Sequence, residues 1–171
     1  MSIIDNSLAP SPGHMPGVGR ATPQDAPALT EIAHAAKRYW GYPESWIQRW
    51  RSELSLDGRY VTAHSVFTIR QDRAPIGFAA LIPYPDQAAP WELAHLWVLP
   101  DHTGRGWGRM LLTRAAAEAR RLHAPAMRIL SDPHAEGFYR RMGAATIGRV
   151  AASMDGMERW LPDMRLRLPD P

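Results

Sequence analysis

Residues 98–112 constrain the fold more than any other part of the sequence, because they join a strand end, a glycine-rich loop and a helix start. An apolar run ends at Val98, and Gly104, Gly106 and Gly108 then occupy every second position before an alanine-rich helical stretch. Glycines at a helix start permit positive φ angles and close backbone approach, and the unpaired N–H groups there attract anions. The segment therefore predicts a phosphate-binding loop between a strand and a helix.

Two well-known phosphate-binding loops do not fit this spacing. A dinucleotide fingerprint requires Gly-x-Gly-x-x-Gly, but the last position holds Arg109 when counted from Gly104 and Leu111 when counted from Gly106. A P-loop requires a Gly-Lys pair, which does not occur in the sequence. Arg105 and Arg109 add positive charge to the loop, which favours a pyrophosphate as its ligand.

Composition excludes several classes of protein. A chain of 171 residues suits one domain with a sizeable core. The sequence has no Cys, which excludes disulfides, thiolate metal sites and a Cys nucleophile, so we expect no metal and a cytoplasmic location. No apolar run approaches the roughly 20 residues of a membrane span, so we expect no membrane partner.

The positive charge comes from arginine, because Lys37 is the only lysine in the chain. Arginines concentrate in residues 105–128 and 140–149, but no block of five basic residues occurs. Nucleic-acid-binding surfaces usually cluster their basic residues more tightly. The pattern favours a phosphate rim or a solvated helix face, and we do not expect a nucleic-acid partner.

The sequence divides into a tail and one domain. Residues 1–19 are rich in proline and glycine and are predicted to be a disordered or loosely attached tail, with the first core residue near Val18. Residues 20–171 are predicted to form a single domain. Hydrophobic periodicity predicts the order β-α-α-β-β-β-α-β-α-β-β, a mixed α/β (α+β) architecture. Its later strands are predicted at 66–71, 75–82, 92–98, 127–130, 145–150 and 164–168, and its helices near 22–40 and at 43–54, 106–122 and 135–142.

Two segments resemble motifs of the GNAT N-acetyltransferases. Residues 103–108 read Thr-Gly-Arg-Gly-Trp-Gly, which is similar to the Gln/Arg-x-x-Gly-x-Gly/Ala signature of the family's acyl-CoA loop, with Thr103 in place of Gln or Arg. Residues 131–144 resemble the later motif Asn-x-x-Ala-x-x-Phe-Tyr-x-x-x-Gly-Phe, with Asp132 in place of Asn and Ala144 in place of Phe. The order of predicted elements is also that of the GNAT fold.

The resemblance implies both a fold and a co-substrate. It covers residues 20–168 and implies a GNAT-like mixed, splayed sheet of about six to seven strands, flanked by about four helices. Acetyl-CoA is the implied co-substrate, bound by strand backbone beside the splay and by the glycine loop. The residues expected to bind it are Leu96, Trp97, Val98, Thr103, Gly104, Arg105, Gly106, Trp107, Gly108, Arg109 and Asp132.

The same resemblance suggests two catalytic residues. Tyr139 matches the family tyrosine near the CoA sulfur, and a phenol with an ordinary pKa of about 10 can serve as general acid at neutral pH. Glu92 stands where several GNAT enzymes carry a base, a role that requires burial or a water relay. His95 is the second choice, because strand alternation is expected to place it opposite Glu92 and Leu96. His134 is interpreted as a helix-start residue.

Aromatic residues between the first two predicted helices are expected to form the acceptor pocket. Tyr39, Trp40 and Tyr42 lie at the break between those helices and could hold an ammonium group by cation–π contact. The loop 154–162 is expected to form the opposite wall, where Asp155 could attract a cationic amine.

These observations predict an N-acetyltransferase that uses direct attack by a primary amine, on a small molecule or a protein. Direct attack is preferred because no Cys and no Ser/His/Asp constellation is evident. Two alternatives stay open. The departures at Thr103, Asp132 and Ala144 suggest a non-catalytic acyl-CoA-binding or regulatory domain, and the arginine excess suggests an acetyltransferase acting on charged transfer RNA. GNAT domains often form homodimers, but no feature of this sequence requires one.

Overall fold

The computed structural model describes residues 17–169, which form one mixed sheet with helices packed on both faces. The strands are β1 (Val18–Arg20), β2 (Ser65–Gln71), β3 (Ala74–Pro83), β4 (Trp91–Val98), β5 (Ala126–Leu130), β6 (Ala145–Ala151) and β7 (Trp160–Arg167). The helices are α1 (Ala26–Tyr39), α2 (Glu44–Arg49), α3 (Arg51–Leu54), α4 (Gly58–Ala63), α5 (Trp107–Arg121) and α6 (Glu136–Arg141). The seven strands lie in the order β1-β2-β3-β4-β5-β7-β6, and only the β4–β5 pair is parallel.

The sheet confirms the predicted mixed α/β architecture, whereas the number of helices was predicted too low. The described residues contain six α-helices rather than about four. The helix predicted over 43–54 divides at Trp50 into α2 and α3. Helix α4 was missed, although Asp57 caps it by accepting a 2.7 Å hydrogen bond from the Tyr60 N–H, a common helix-start signal.

The predicted tail lies outside the described residues except at its end. Val18 and Gly19 belong to β1, where they pair with Ile69 and Thr68 of β2. Strand β1 therefore includes the last two residues of the predicted tail, and the division into a tail and a single domain stays a prediction.

Two hydrophobic cores lie on opposite faces of the sheet. Alternate residues of β3 face each core, so Ala79 packs with Leu111 of α5 and Phe78 packs with Leu29 of α1. Gly77 of β3 has no room for a side chain, because an added Cβ would lie 2.9 Å from the carbonyl oxygen of Trp97. Among the described residues, no helix combines the length and the hydropathy that crossing a bilayer requires.

The centre of the sheet is split between β4 and β5. These strands pair only at Trp91 with Met127 and at Glu92 with Arg128. Beyond Glu92 they separate, so the remaining backbone of β4 has a free edge on that side. On the opposite edge, where β4 pairs with β3, a β-bulge interrupts β4 at Ala94. The separation from β5 and this bulge together position the site.

Candidate active site

A cavity of about 450 Å³, here called the cofactor cavity, lies beside the free edge of β4. It brings together most of the predicted cofactor-binding residues with the predicted general acid. From the prediction it contains Tyr39, Trp40, Leu96, Trp97, Val98, Thr103, Gly104, Gly106, Trp107, Gly108, Arg109 and Tyr139. Other lining residues, which were not among the predicted site residues, include His102, His134, Phe138 and Arg141.

The glycine loop forms the end of this cavity that suits an anion. Gly104 and Gly106 have φ angles of 75° and 87°, and an added Cβ at either would meet no atom within 4 Å. The first backbone bond of α5 runs from the Met110 N–H to the Gly106 carbonyl at 3.1 Å, so the N–H groups at the helix start before it have no intrahelical acceptor. His102 Nδ1 and Trp107 Nε1 are buried without a hydrogen-bond partner among residues 17–169. Open space beside unpaired donors fits the pyrophosphate of acetyl-CoA.

Three residues of the loop have contacts or positions that the sequence did not predict. A Cβ at Gly108 would lie 3.4 Å from the Phe138 ring, so this glycine lets α5 pack closely against α6. The Thr103 hydroxyl donates to the Pro100 carbonyl at 2.8 Å and thus closes the loop. Arg105, unlike Arg109, does not line the cavity.

The free edge of β4 provides backbone groups for an extended ligand. Leu96, Trp97 and Val98 pair with β3 through one edge only, because β5 has already separated from β4. An extended ligand can add to such an edge as another strand would. The three residues line the cofactor cavity, as the sequence predicted.

Tyr139 is buried in the core but also lines the cofactor cavity. Burial raises the pKa of its hydroxyl well above the ordinary value, and the negative charge of Asp132 raises it further. The hydroxyl therefore stays protonated across the neutral pH range, which is the state that a general acid requires.

Glu92 lies at the point where β4 and β5 separate. Its carboxylate is paired with the guanidinium of Arg128, which also donates a 3.0 Å hydrogen bond to Asp163. Its charge contributes, after burial, to raising the pKa of the Tyr60 hydroxyl to about 12. Glu92 lines neither of the cavities described here, so contact with an acceptor would require a water between them.

The expectation that His95 and Glu92 lie on opposite faces of β4 was wrong. Leu93 pairs with Leu81 and His95 pairs with Ala80, so the bulge at Ala94 reverses the alternation. His95 is consequently on the same face as Glu92. Burial lowers its pKa to about 4, and its Nδ1 accepts a 3.1 Å hydrogen bond from the Trp97 indole. The neutral ring must therefore carry its proton on Nε2 and acts as a donor rather than as a base.

Asp132 does not line the cofactor cavity, so its binding of the cofactor stays a prediction without support from the geometry. Protein donors already surround its carboxylate: the Lys37 ammonium at 2.6 Å, the Tyr42 hydroxyl at 2.9 Å, Arg159 Nη2 at 2.9 Å and the His134 N–H at 3.0 Å. Burial opposes its ionisation, but Lys37 and the hydrogen bonds lower its pKa overall. His134 lies in the short 3-10 turn Pro133–Ala135 that leads into α6, as predicted for a residue at a helix start.

The predicted acceptor aromatics do not form a common acceptor site. Tyr39 and Trp40 line the cofactor cavity, and Tyr39 is 65% exposed. Tyr42 is turned toward Asp132 and lines neither cavity. The Lys37 ammonium already occupies the cage of rings that these residues help to build, at 4.3 Å from Trp50, 4.8 Å from Tyr42, 5.5 Å from Trp40 and 5.9 Å from Trp97. Burial lowers the Lys37 pKa although Asp132 opposes the shift.

A second cavity of about 370 Å³, here called the acceptor cavity, shares Trp97 with the cofactor cavity. Met154 and Arg159 line it, so the predicted contribution of the loop 154–162 is supported by the geometry. Asp155 does not line this cavity; it pairs with Arg49 at 2.6 Å and accepts a 2.9 Å hydrogen bond from the Trp46 indole. The residues that line this cavity are Lys37, Trp50, Glu53, Leu54, Ala94, His95, Trp97, Leu130, Asp132, Ala152, Ser153, Met154, Arg159 and Leu161.

Comparison with known families identifies the class of protein. The sequence model of the acetyltransferase (GNAT) family matches residues 27–144, which include β4, the glycine loop and α6. This chain therefore belongs to the GNAT acetyltransferase family, as the two motifs predicted.

Individual relatives are more distant. An uncharacterized N-acetyltransferase, ycf52 of Gracilaria tenuistipitata var. liui, is 26% identical over 104 residues, which cover 59% of this chain and 56% of that protein. A GCN5-related N-acetyltransferase structure from Rhodopseudomonas palustris superposes with a TM-score of 0.74 at 22% identity, covering 91% of this chain and 98% of that one. The structure of yncA from Salmonella typhimurium with its cofactor acetyl-CoA gives a TM-score of 0.66 at 19% identity, covering 92% and 96%. The structural similarities show a shared fold.

Proposed function

We propose that this chain transfers the acetyl group of acetyl-CoA to a primary amine by direct attack of that amine. The observation that supports this most is the cofactor cavity, where the free edge of β4, the open glycine loop and the buried Tyr139 meet. Membership of the GNAT family and the acetyl-CoA in the yncA structure support the same co-substrate.

Backbone groups and one charged side chain would bind the co-substrate together. The N–H groups at the start of α5 and the side chain of Arg109 would hold the pyrophosphate, and the free edge of Leu96–Val98 would pair with the pantetheine amides. When bound, acetyl-CoA supplies the reactive thioester.

Two residues would handle the protons of the reaction. Tyr139 keeps its proton at neutral pH and can give it to the departing thiolate, because burial and Asp132 raise its pKa. The amine must lose a proton, since an ordinary lysine-like amine has a pKa near 10.4. Glu92 would accept that proton through a water, while Arg128 holds its carboxylate in place.

Calorimetry with acetyl-CoA and with CoA, followed by a thiol-release screen, tests the proposal. The screen should contain polyamines, amino acids, aminoglycosides and peptides with free N-termini, because small-molecule and protein amines are both acceptors of the proposed kind. Absence of binding by either nucleotide at millimolar concentration would overturn the proposal. Binding without thiol release for any amine would instead identify an acyl-CoA-binding domain.

A further inference from the structure

The floor of the acceptor cavity carries an unbalanced positive charge. Lys37, Asp132 and Arg159 are three charged groups whose side chains are only 9%, 6% and 10% exposed. Two of them are cations and one is an anion. Because buried charges interact more strongly than charges in water, an anionic group that enters the cavity would be attracted to this floor.

Arg159 is the member of this group that is free to bind such an anion. Its Nη2 donates to Asp132 at 2.9 Å and to the Tyr42 hydroxyl at 3.4 Å, but its Nε is buried and has no partner among the described residues. A guanidinium presents its donors in a planar fork that matches a carboxylate. Lys37 cannot serve in the same way, because its ammonium is held by Asp132 inside the aromatic cage.

The other lining groups favour an anion with an apolar body. His95 is neutral and has its Nε2 as a donor. Besides Asp132, Glu53 is the only carboxylate in the described part of the chain that lines this cavity, and it is exposed. The remaining wall is largely apolar and is formed by Leu54, Leu130, Met154 and Leu161, together with two tryptophan rings.

We propose that the amine acceptor of this enzyme carries a carboxylate, which the Arg159 guanidinium binds, and an apolar side chain that fills the rest of the cavity. An apolar amino acid is an acceptor of this class. The inference rests on the proposed function and narrows its substrate, and it contrasts with the sequence-based expectation of a cage for the ammonium group of the substrate.

Matched acceptors test the carboxylate directly. Thiol release should be measured with leucine, phenylalanine and methionine, and with the carboxamide and the decarboxylated amine of each. We expect kcat/KM for the free acids to exceed that for the amides by about 10²-fold, which is within the range for a lost charge-assisted hydrogen bond. Equal or faster acetylation of the amides would overturn the proposal.

Variants identify the residue responsible. In Arg159→Gln the preference for the acid over the amide should disappear, whereas Arg167→Gln removes an exposed arginine at the far end of β7, the strand that follows Arg159, and should retain it. Glu53→Gln should raise kcat/KM for the acids, since a nearby negative charge is removed. A preference for the acid that survives in Arg159→Gln would exclude Arg159 as the anion site.

A binding measurement separates this inference from the proposed function. Trp50 and Trp97 line the acceptor cavity, so tryptophan fluorescence can follow titration with N-acetyl-leucine and with N-acetyl-leucine amide. Binding of the acid but not of the amide would support the carboxylate site even if no amine were turned over. Failure of the acid to bind would overturn it, even if other amines were acetylated.

Discussion

The carboxylate of Asp132 lies 2.6 Å from the ammonium of Lys37, the only lysine in the chain, across 95 positions of sequence. The contact joins α1 to the turn after β5 and lies next to Trp97, which both cavities share. A buried pair of this kind ties the acceptor side of the site to the cofactor side.

Lys37→Met should destabilise the fold by about 3 kcal/mol, because it leaves the buried Asp132 carboxylate with one cationic partner instead of two. The free energy of unfolding in urea measures the loss. Adding Asp132→Asn should restore part of it, so that the double variant costs at least about 1 kcal/mol less than the sum of the single variants. Strict additivity would mean that the two groups do not interact. Arg38→Gln breaks an exposed pair with Glu44 and serves as the control that should change little.

Tyr139→Phe should lower turnover by about 10²-fold while leaving the affinity for acetyl-CoA unchanged, because the lost hydroxyl acts mainly in the transition state. Steady-state kinetics and calorimetry measure the two effects. Tyr60→Phe is a matched control, since Tyr60 also has a raised pKa but lines neither cavity. Turnover at the wild-type rate in Tyr139→Phe would remove this residue from the mechanism and leave the cofactor site unaffected.

Glu92→Gln should lower kcat/KM at neutral pH, and the loss should shrink as pH rises, since more of the amine is then already neutral. The pH profile of kcat/KM for the variant and the wild type measures this. Asp163→Asn removes the other carboxylate partner of Arg128 and reproduces any purely structural effect. The same pH-independent loss in both variants would show that Glu92 positions Arg128 and accepts no proton.

The sequence predicted the local features of the site well and its long-range contacts poorly. The glycine loop and α5 were predictable because adjacent residues determine them. The contacts of Asp132 and Tyr42 were not predictable, because Lys37 and Arg159 approach them only in the folded chain. The face of His95 was also missed, since the bulge in β4 depends on its pairing with β3.

Helix α4 was missed for a different reason, because a local sequence signal for it was present. Asp is a preferred residue at the position before a helix, and Asp57 does cap α4. The cage around Lys37 shows what the amino-acid composition could not predict. The aromatic residues were recognised as able to hold a cation, but the cation they hold is the ammonium of Lys37.

Gly106→Ala should weaken acetyl-CoA binding, because its φ of 87° disfavours a side chain and the loop that lines the cavity is proposed to hold the pyrophosphate. The backbone strain should also cost roughly 1–2 kcal/mol of stability. Gly143→Ala introduces similar strain at a φ of 93° outside the cavity, so it should lower stability without changing affinity. Calorimetry on both variants separates the effects, and an unchanged affinity in Gly106→Ala would contradict the assignment of the loop.

The stability of the protein should fall on mild acidification because of His95. Its pKa is about 4 in the folded chain, whereas an unfolded histidine titrates near 6.5. Between these values the unfolded chain binds a proton that the folded chain does not, so the free energy of unfolding should drop by up to roughly 3 kcal/mol from pH 6.5 to 4. His95→Gln keeps an acceptor for the Trp97 indole and should flatten this dependence, as urea unfolding at several pH values will measure. His123→Asn, at an exposed residue with a φ of 57°, should retain the wild-type slope. An unaltered slope in His95→Gln would assign the acid sensitivity to other groups.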